Sequence, residues 1–308
     1  MSGLVTTDVQ RAAKAIRRGG LVAMPTETVY GLAADAENDG AVARIFEVKG
    51  RPTSHPLIVH LPDPADLDDW ADAPSPAART LAATAWPGPL TIIVPRSARV
   101  GDVVTGGRDT VGLRVPAHPM AQRLLAASGR AVAAPSANPF GATSPTTAQH
   151  VLADLGDRLD PERDVILDGG PSPVGVESTI VDCVSDPPQV LRAGGIPTEQ
   201  IEELLAGRLA PASGPARASG MLASHYAPAA GVKLVDNADD AQALAAGTPG
   251  AVVLDLTDDL AAYARQLYAR LRAADDQGAS CVIAVLPPAA GLGHAIRDRL
   301  TKAAAPRH

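Results

Sequence analysis

The chain has 308 residues, 46% of them apolar and 20% charged, with a formal net charge of −7. That length allows two domains and that apolar share allows a packed core, which sets the chain apart from disordered sequences. The acidic balance and only 3% aromatics argue against tight, sequence-independent nucleic-acid binding and against base-stacking arrays. Two distant cysteines, Cys183 and Cys281, leave no disulfide framework and no cysteine-rich zinc site.

No apolar run approaches the ~18 residues of a membrane-spanning helix. Residues 1–20 lack the apolar stretch of a secretory signal, so a cytoplasmic protein is expected. Of 27 basic residues, 23 are arginines and four are lysines (Lys14, Lys49, Lys233 and Lys302), which makes each lysine's placement informative.

Along the chain the pattern is α/β. A helix is predicted over residues 7–18, opened by Thr7-Asp8 and stopped by Gly19-Gly20. Further helices are predicted over 41–48 (stopped by Gly50), 119–128 (Pro119 in its first turn, Gly129 after it) and 146–155 (stopped by Gly156). Apolar runs at 21–24, 57–61, 90–94, 111–115, 131–134, 165–167 and 179–183 read as buried strands. Not every pair of strands is separated by a helix, so a mixed sheet is expected. Residues 204–228 are small, Gly- and Pro-rich and aperiodic, a linker pattern. A second α/β pattern follows, with strands at 232–235, 251–254 and 281–285. Its clearest helix is predicted over 258–275, where Leu260, Ala264, Leu267, Leu271 and Ala274 recur at helical spacing. The expected division is 1–205, 206–230 and 231–308.

The common nucleotide and metal signatures are missing. No G-x-x-x-x-G-K-[ST] and no H-E-x-x-H occurs, and Gly291-Leu292-Gly293 lacks a third glycine, Ile296 standing there. No metal site is expected. Four segments are richer in polar residues than packing requires. Pro25–Gly31 follows a strand and suits either a pocket wall or a Thr-rich turn. Lys49 and Arg51 flank a glycine and can converge on an anion, or form a solvated basic turn; His60 ends the strand after them. Arg114 lies in an apolar strand and needs a partner, which a substrate carboxylate or a structural acid would supply. Ser136-Ala137-Asn138 and Glu177-Ser178 sit beside strands. A Ser136, His60 and Asp182 triad can be drawn, but no G-x-S-x-G elbow surrounds any serine. The residues alone point to a ligand-positioning enzyme for a phosphate-bearing substrate.

Six ordered segments, PTETVYGLAADA, KGRPTSHPLIVHL, WPGPLTIIV, TVGLRVPAHP, AAPSANPFGATSPTTA and GVESTIVD, resemble the Sua5/YrdC/YwlC family of L-threonylcarbamoyladenylate synthases. ASGMLASHYAP and the residues after it resemble the linker and C-terminal domain of the longer, Sua5-type members. The resemblance implies a YrdC-like twisted mixed sheet with helices and a smaller Rossmann-like C-terminal α/β domain. It implies conversion of L-threonine, bicarbonate (or CO2) and ATP, with Mg2+, into threonylcarbamoyl-AMP and pyrophosphate. A separate tRNA threonylcarbamoyl transferase complex would consume the product, modifying adenosine 37 of tRNAs that read codons starting with A. No covalent nucleophile and no membrane contact are implied.

Carried over by position, the threonine contacts are Thr28, His60, Arg114, Ala134 (through its backbone) and Ser178. The ATP contacts are Lys49, Arg51, His55, Thr110, Ser136, Asn138, Ser144, Arg192, His225 and Tyr226, with Lys49 and Arg51 supplying phosphate charge. His55 stands where relatives often carry asparagine. Ser219, Leu222, Ala223 and Ser224 depart from the family's linker pattern, which is close to SPGMKYKHYAP; Gly220, Met221, His225, Tyr226 and Pro228 keep it. Two other readings remain on sequence grounds: an RNA-binding module, and a carbamoyl-transfer enzyme of the hydrogenase-maturation type.

Overall fold

The computed structural model describes residues 3–213 and 225–306. Ten strands form one mixed sheet: β1 (Val5–Thr6), β2 (Val22–Met24), β3 (Gly31–Asp35), β4 (Ile58–His60), β5 (Leu90–Pro95), β6 (Thr110–Arg114), β7 (Val132–Ala133), β8 (Val165–Leu167), β9 (Thr179–Asp182) and β10 (Gln189–Arg192). Their spatial order is β1-β8-β2-β3-β7-β4-β6-β5-β9-β10, with parallel and antiparallel pairs interleaved. Strands β1, β3 and β10 were not expected from composition. β3 is Gly-Leu-Ala-Ala-Asp, without a β-branched residue, and is a strand because it pairs antiparallel with β2 and is buried along its whole length.

Alternation along the strands assigns the two faces of the sheet. On β6, Val111 and Leu113 enter the main core, together with Leu90, Ile92 and Val94 of β5. Thr110, Gly112 and Arg114 therefore face the other side. β4 pairs with β6 in parallel, His60 opposite Arg114, so these two long polar side chains stand together on that second face. β9 pairs with β5 in parallel, Leu90 opposite Thr179, which brings Ser178 to the same end of the sheet.

The predicted helices form with their expected caps. Asp8 caps the helix Val9–Arg17, and Gly50 closes Asp39–Lys49 in a left-handed conformation. The helix Pro76–Ala85 was not expected, although Ser75 and Pro76 form a good start. Three further strands, β11 (Gly231–Val235), β12 (Ala251–Leu254) and β13 (Cys281–Val285), form a separate parallel sheet in the order β11-β13-β12. Helices Ala238–Ala246, Leu260–Asp276 and Gly293–Ala304 accompany them.

The two units share apolar packing. Val29 and Val176 beside the large sheet join Tyr226, Leu267, Tyr268 and Leu271 in one buried cluster. The described ends of the linker are pinned as well: Ala210 bridges to Gln189 and Ala227 to Ala142. Residues 214–224, which include the expected linker departures at Ser219 and 222–224, lie outside the described residues. No helix among the described residues is long and apolar enough to cross a membrane.

Candidate active site

A cleft opens on the second face of the large sheet. It is lined by Thr26, Thr28, Val29, Gly31, Arg51, Ile58, His60, Arg114, Ala134, Pro135, Ser136, Glu177, Ser178, Arg192, His225 and Tyr226. Residues nearly two hundred positions apart thus meet in one place, and most of the expected site residues are among them.

At one end, Arg114 is almost fully buried. Its Nη2 donates to Glu27 Oε1 (2.5 Å), Nη1 to Thr28 Oγ1 (3.0 Å) and Nε to the Gly88 carbonyl (3.3 Å). The partner left open by the sequence is therefore Glu27, whose other oxygen accepts from the Ala117 N–H (3.0 Å). Thr28 and Thr26 share a hydroxyl contact of 2.8 Å. His60 is buried beside Arg114. Burial, then the Arg114 charge, pulls its pKa from 6.5 to about 3, so its ring is neutral. Nδ1 of that ring lies 3.3 Å from the Ile58 carbonyl. The Ala134 N–H already donates to that same carbonyl (2.9 Å), so a backbone contact from Ala134 to a ligand falls to its carbonyl.

The opposite wall is built around Ser178. Arg192 donates to the Ser178 carbonyl (2.9 and 3.1 Å) and to its hydroxyl (3.1 Å), and Thr91 Oγ1 is 2.8 Å from that hydroxyl. Ser178 is thereby fixed in rotamer and in backbone. Its neighbour Glu177 accepts from Ser144 Oγ (2.6 Å), from the Tyr268 hydroxyl (2.8 and 3.0 Å) and from Arg299 Nε (2.7 Å). Burial would raise this carboxyl, but Arg299 and Arg192 outweigh it and hold the pKa at about 2.

The third side is cationic and aromatic. Arg51 donates to the Pro56 carbonyl (3.0 Å) and lies 5.7 Å from the centroid of Phe140. Burial lowers its pKa to about 10, which leaves it charged at neutral pH. His55 and His225 meet Phe140 edge-on at 5.3 and 6.2 Å. His225 stacks edge-on against Tyr226 at 4.0 Å, and burial pulls its pKa to about 3.

Several expected contacts stand behind the lining. Lys49 is buried, and its ammonium donates to the carbonyls of Ser136 (2.6 Å) and Asn138, holding the Ser136–Asn138 turn from beneath. Burial, then Arg51, lowers its pKa well below the usual lysine range. Asn138 donates to the Pro139 and Ala142 carbonyls (2.9 and 2.8 Å). Ser144 is fully buried against Glu177. Thr110 lies on the same sheet face as Arg114 but about 13 Å along β6, at ~3.3 Å per residue. No triad assembles: Asp182 accepts from Val184 N–H and Ser185 Oγ, each at 2.9 Å, while His60 faces Ile58.

Sequence alone gives no role to Glu177, Tyr268 or Arg299, and sets Glu27 only within the pocket-wall or turn segment Pro25–Gly31. A signal was present for the two acids. Each immediately precedes an expected threonine contact within a strand-end segment, and a carboxylate buried there requires a partner.

A family model described as "Telomere recombination", covering the Sua5, YciO and YrdC proteins, matches residues 14–194. A second, described as "Threonylcarbamoyl-AMP synthase, C-terminal domain", matches residues 196–305. The chain belongs to the Sua5/YrdC family. It is 41% identical to the threonylcarbamoyl-AMP synthase of Pyrococcus abyssi, over 96% of this chain and 93% of that one. It is 39% identical to the Bacillus subtilis protein of the same name, over 99% and 95%. A structure of P. abyssi Sua5 complexed with L-threonine superimposes with a TM-score of 0.88 at 40% identity, covering 96% of this chain and 94% of that one. The C-terminal match thus extends membership beyond the large sheet, to the two-unit form of the family.

Proposed function

We propose that this Sua5/YrdC protein is an L-threonylcarbamoyladenylate synthase, acting on L-threonine, bicarbonate or CO2, and ATP. The observation that carries the reading is the cleft itself. Thr28, His60 and Arg114 form one end, Ser178 and Arg192 the wall opposite, and Arg51, Ser136, His225 and Tyr226 complete the lining. Near full-length identity to threonylcarbamoyl-AMP synthases supports it.

In this reading the threonine amine adds to CO2 and loses a proton, giving a carbamate. A carbamate oxygen attacks the α-phosphorus, the bond to the bridging oxygen breaks, and pyrophosphate leaves. The protein supplies position and charge rather than a nucleophile. Neutral His60 can accept a hydrogen bond from the amino acid, which an imidazolium beside Arg114 could not do. Arg51 and Arg192 provide fixed countercharge for phosphate. The buried His225 Nδ1 in the cleft lining has no hydrogen-bond partner among the described residues, and a polar nucleotide would satisfy such an atom. The donor set of the cleft is guanidinium, imidazole and hydroxyl. Its acid, Glu177, is already committed to Arg299 and Tyr268. Such a set suits phosphate rather than a bare cation, so Mg2+ belongs to this reading as part of the nucleotide, held by phosphate oxygens. A separate transferase acting on tRNA would consume the product.

The direct test is to incubate the protein with ATP, L-threonine and labelled bicarbonate. Label in an adenylate, with pyrophosphate released in equal amount, is the expected result. ATP consumption without labelled adenylate overturns the reading.

A further inference from the structure

The C-terminal unit reaches a carboxylate of the cleft wall. Glu177 lines the cleft and directly precedes Ser178. Apart from Ser144, its side-chain donors come from the far unit: Tyr268 on the helix Leu260–Asp276 and Arg299 on the helix Gly293–Ala304. Arg299 has no solvent exposure, and its guanidinium also lies 5.2 Å from the Tyr226 ring. The approach is close enough to exclude a side chain. At Gly175 a Cβ would come within 2.4 Å of the Arg265 Cα and 2.5 Å of the Ala264 carbonyl oxygen. A second ion pair, Arg272 with Asp154 (2.5 Å), holds the same helix to the catalytic unit. An ionised carboxylate in a wall that must receive a triphosphate is repulsive unless neutralised. Released from its anchors, Glu177 would compete for Arg192, the group that fixes Ser178.

We propose that Arg299 and Tyr268 are positioning residues of the synthase, supplied by the C-terminal unit. They anchor the Glu177 carboxylate, cancel its charge toward the cleft, and so fix the Ser178 that faces L-threonine. The inference rests on the proposed reaction for its kinetic readout. The role is indirect: neither side chain lines the cleft.

The test uses the full chain and separates KM from kcat. Tyr268→Phe removes one hydroxyl and keeps the ring. It is expected to raise the KM for L-threonine about ten-fold, the size of one lost charge-assisted hydrogen bond, with kcat within about two-fold. Arg299→Lys keeps the charge but loses the planar fork, and is expected to raise the same constant by less than Arg299→Met does. The double variant Tyr268→Phe/Glu177→Gln should be no worse than Glu177→Gln alone, because both act through one carboxylate. If Arg299→Met does not fold, Tyr268→Phe and Arg299→Lys still decide. A lowered melting temperature with both KM values at wild type, in both of these variants, makes the network merely structural and overturns the inference. L-threonine binding by calorimetry gives a second readout, with the same shift expected. Wild-type protein that binds L-threonine yet makes no adenylate refutes the proposed reaction but leaves this binding test intact.

Discussion

His60 and His225 are both buried with a pKa near 3, while an unfolded imidazole titrates near 6.5. Below 6.5 the unfolded state gains protons that the folded state refuses. Stability is therefore complete above pH 6.5 and falls as the pH drops toward 3, by about 1.4 kcal/mol per pH unit for each histidine. His60→Gln or His225→Gln should each remove that histidine's own share of the slope, about 1.4 kcal/mol per pH unit. Urea melts between pH 7 and 4.5 check it, and slopes equal to wild type would refute it. Glu177 acts lower on the scale. Its folded pKa of about 2 lies below the ordinary 4.5, so its contribution is present above pH 4.5 and lost as the pH falls toward 2. Nearby, Thr28 Oγ1 and the Glu27-bound Arg114 make a fixed polar end to the cleft. A pocket that hydrogen-bonds a hydroxyl penalises a ligand lacking one. L-serine should therefore replace L-threonine better than 2-aminobutyrate does in adenylate formation. Equal use of 2-aminobutyrate and L-threonine would show that the hydroxyl is not read.

Among the elements, the segment from Gly175 to Ser178 is tightly held against the C-terminal unit. Gly175 has φ +82° and its backbone lies against the helix Leu260–Asp276. A glycine-to-alanine change at an unstrained site stabilises a protein slightly through the unfolded chain. Here the sign should reverse. Gly175→Ala must both hold a left-handed conformation and push the helix back, so a loss of about 2 kcal/mol or more is expected in denaturant melts. The KM for L-threonine should rise with it, because the displaced segment carries Ser178. Unchanged stability would mean that the helix yields freely. The Ser136–Asn138 turn is held differently, by the Lys49 ammonium beneath two of its carbonyls. The sequence places that lysine, with Arg51, as a candidate for the phosphates. Its position at the end of the helix Asp39–Lys49 turns it inward, toward backbone acceptors.

For the whole molecule, the consequence is shared cooperativity. One buried cluster includes Val29 and Val176 from the large-sheet unit, Tyr226 from the linker, and Tyr263, Leu267, Tyr268 and Leu271 from the C-terminal unit. Calorimetry should show one unfolding transition, with the large-sheet and C-terminal units melting together. Two separated transitions would make the C-terminal unit an independent appendage. Truncation after Leu205 removes Tyr268 and Arg299 and leaves Glu177 without its main donors, so loss of adenylate formation is expected even from soluble protein. Full activity in that truncation would show that the carboxylate needs no anchor.

Much of this was legible in the residues. Caps such as Asp8 and Gly50 marked helix ends, and runs of Val, Ile and Leu marked most strands, because those signals are local. The ordered motifs named the family and most of the cleft lining. The partners within the cleft were not legible. Arg114 plainly needed a counter-charge, but nothing along the chain chose Glu27 over a ligand. The parallel register that sets His60 beside Arg114, and the packing that carries Arg299 to Glu177 across 122 residues, exist only once the sheet and its neighbouring unit have assembled. Local sequence fixes which groups can form an element. Which charges end up sharing a low-dielectric space is decided by contacts between residues far apart in the chain, and only the tertiary structure supplies those.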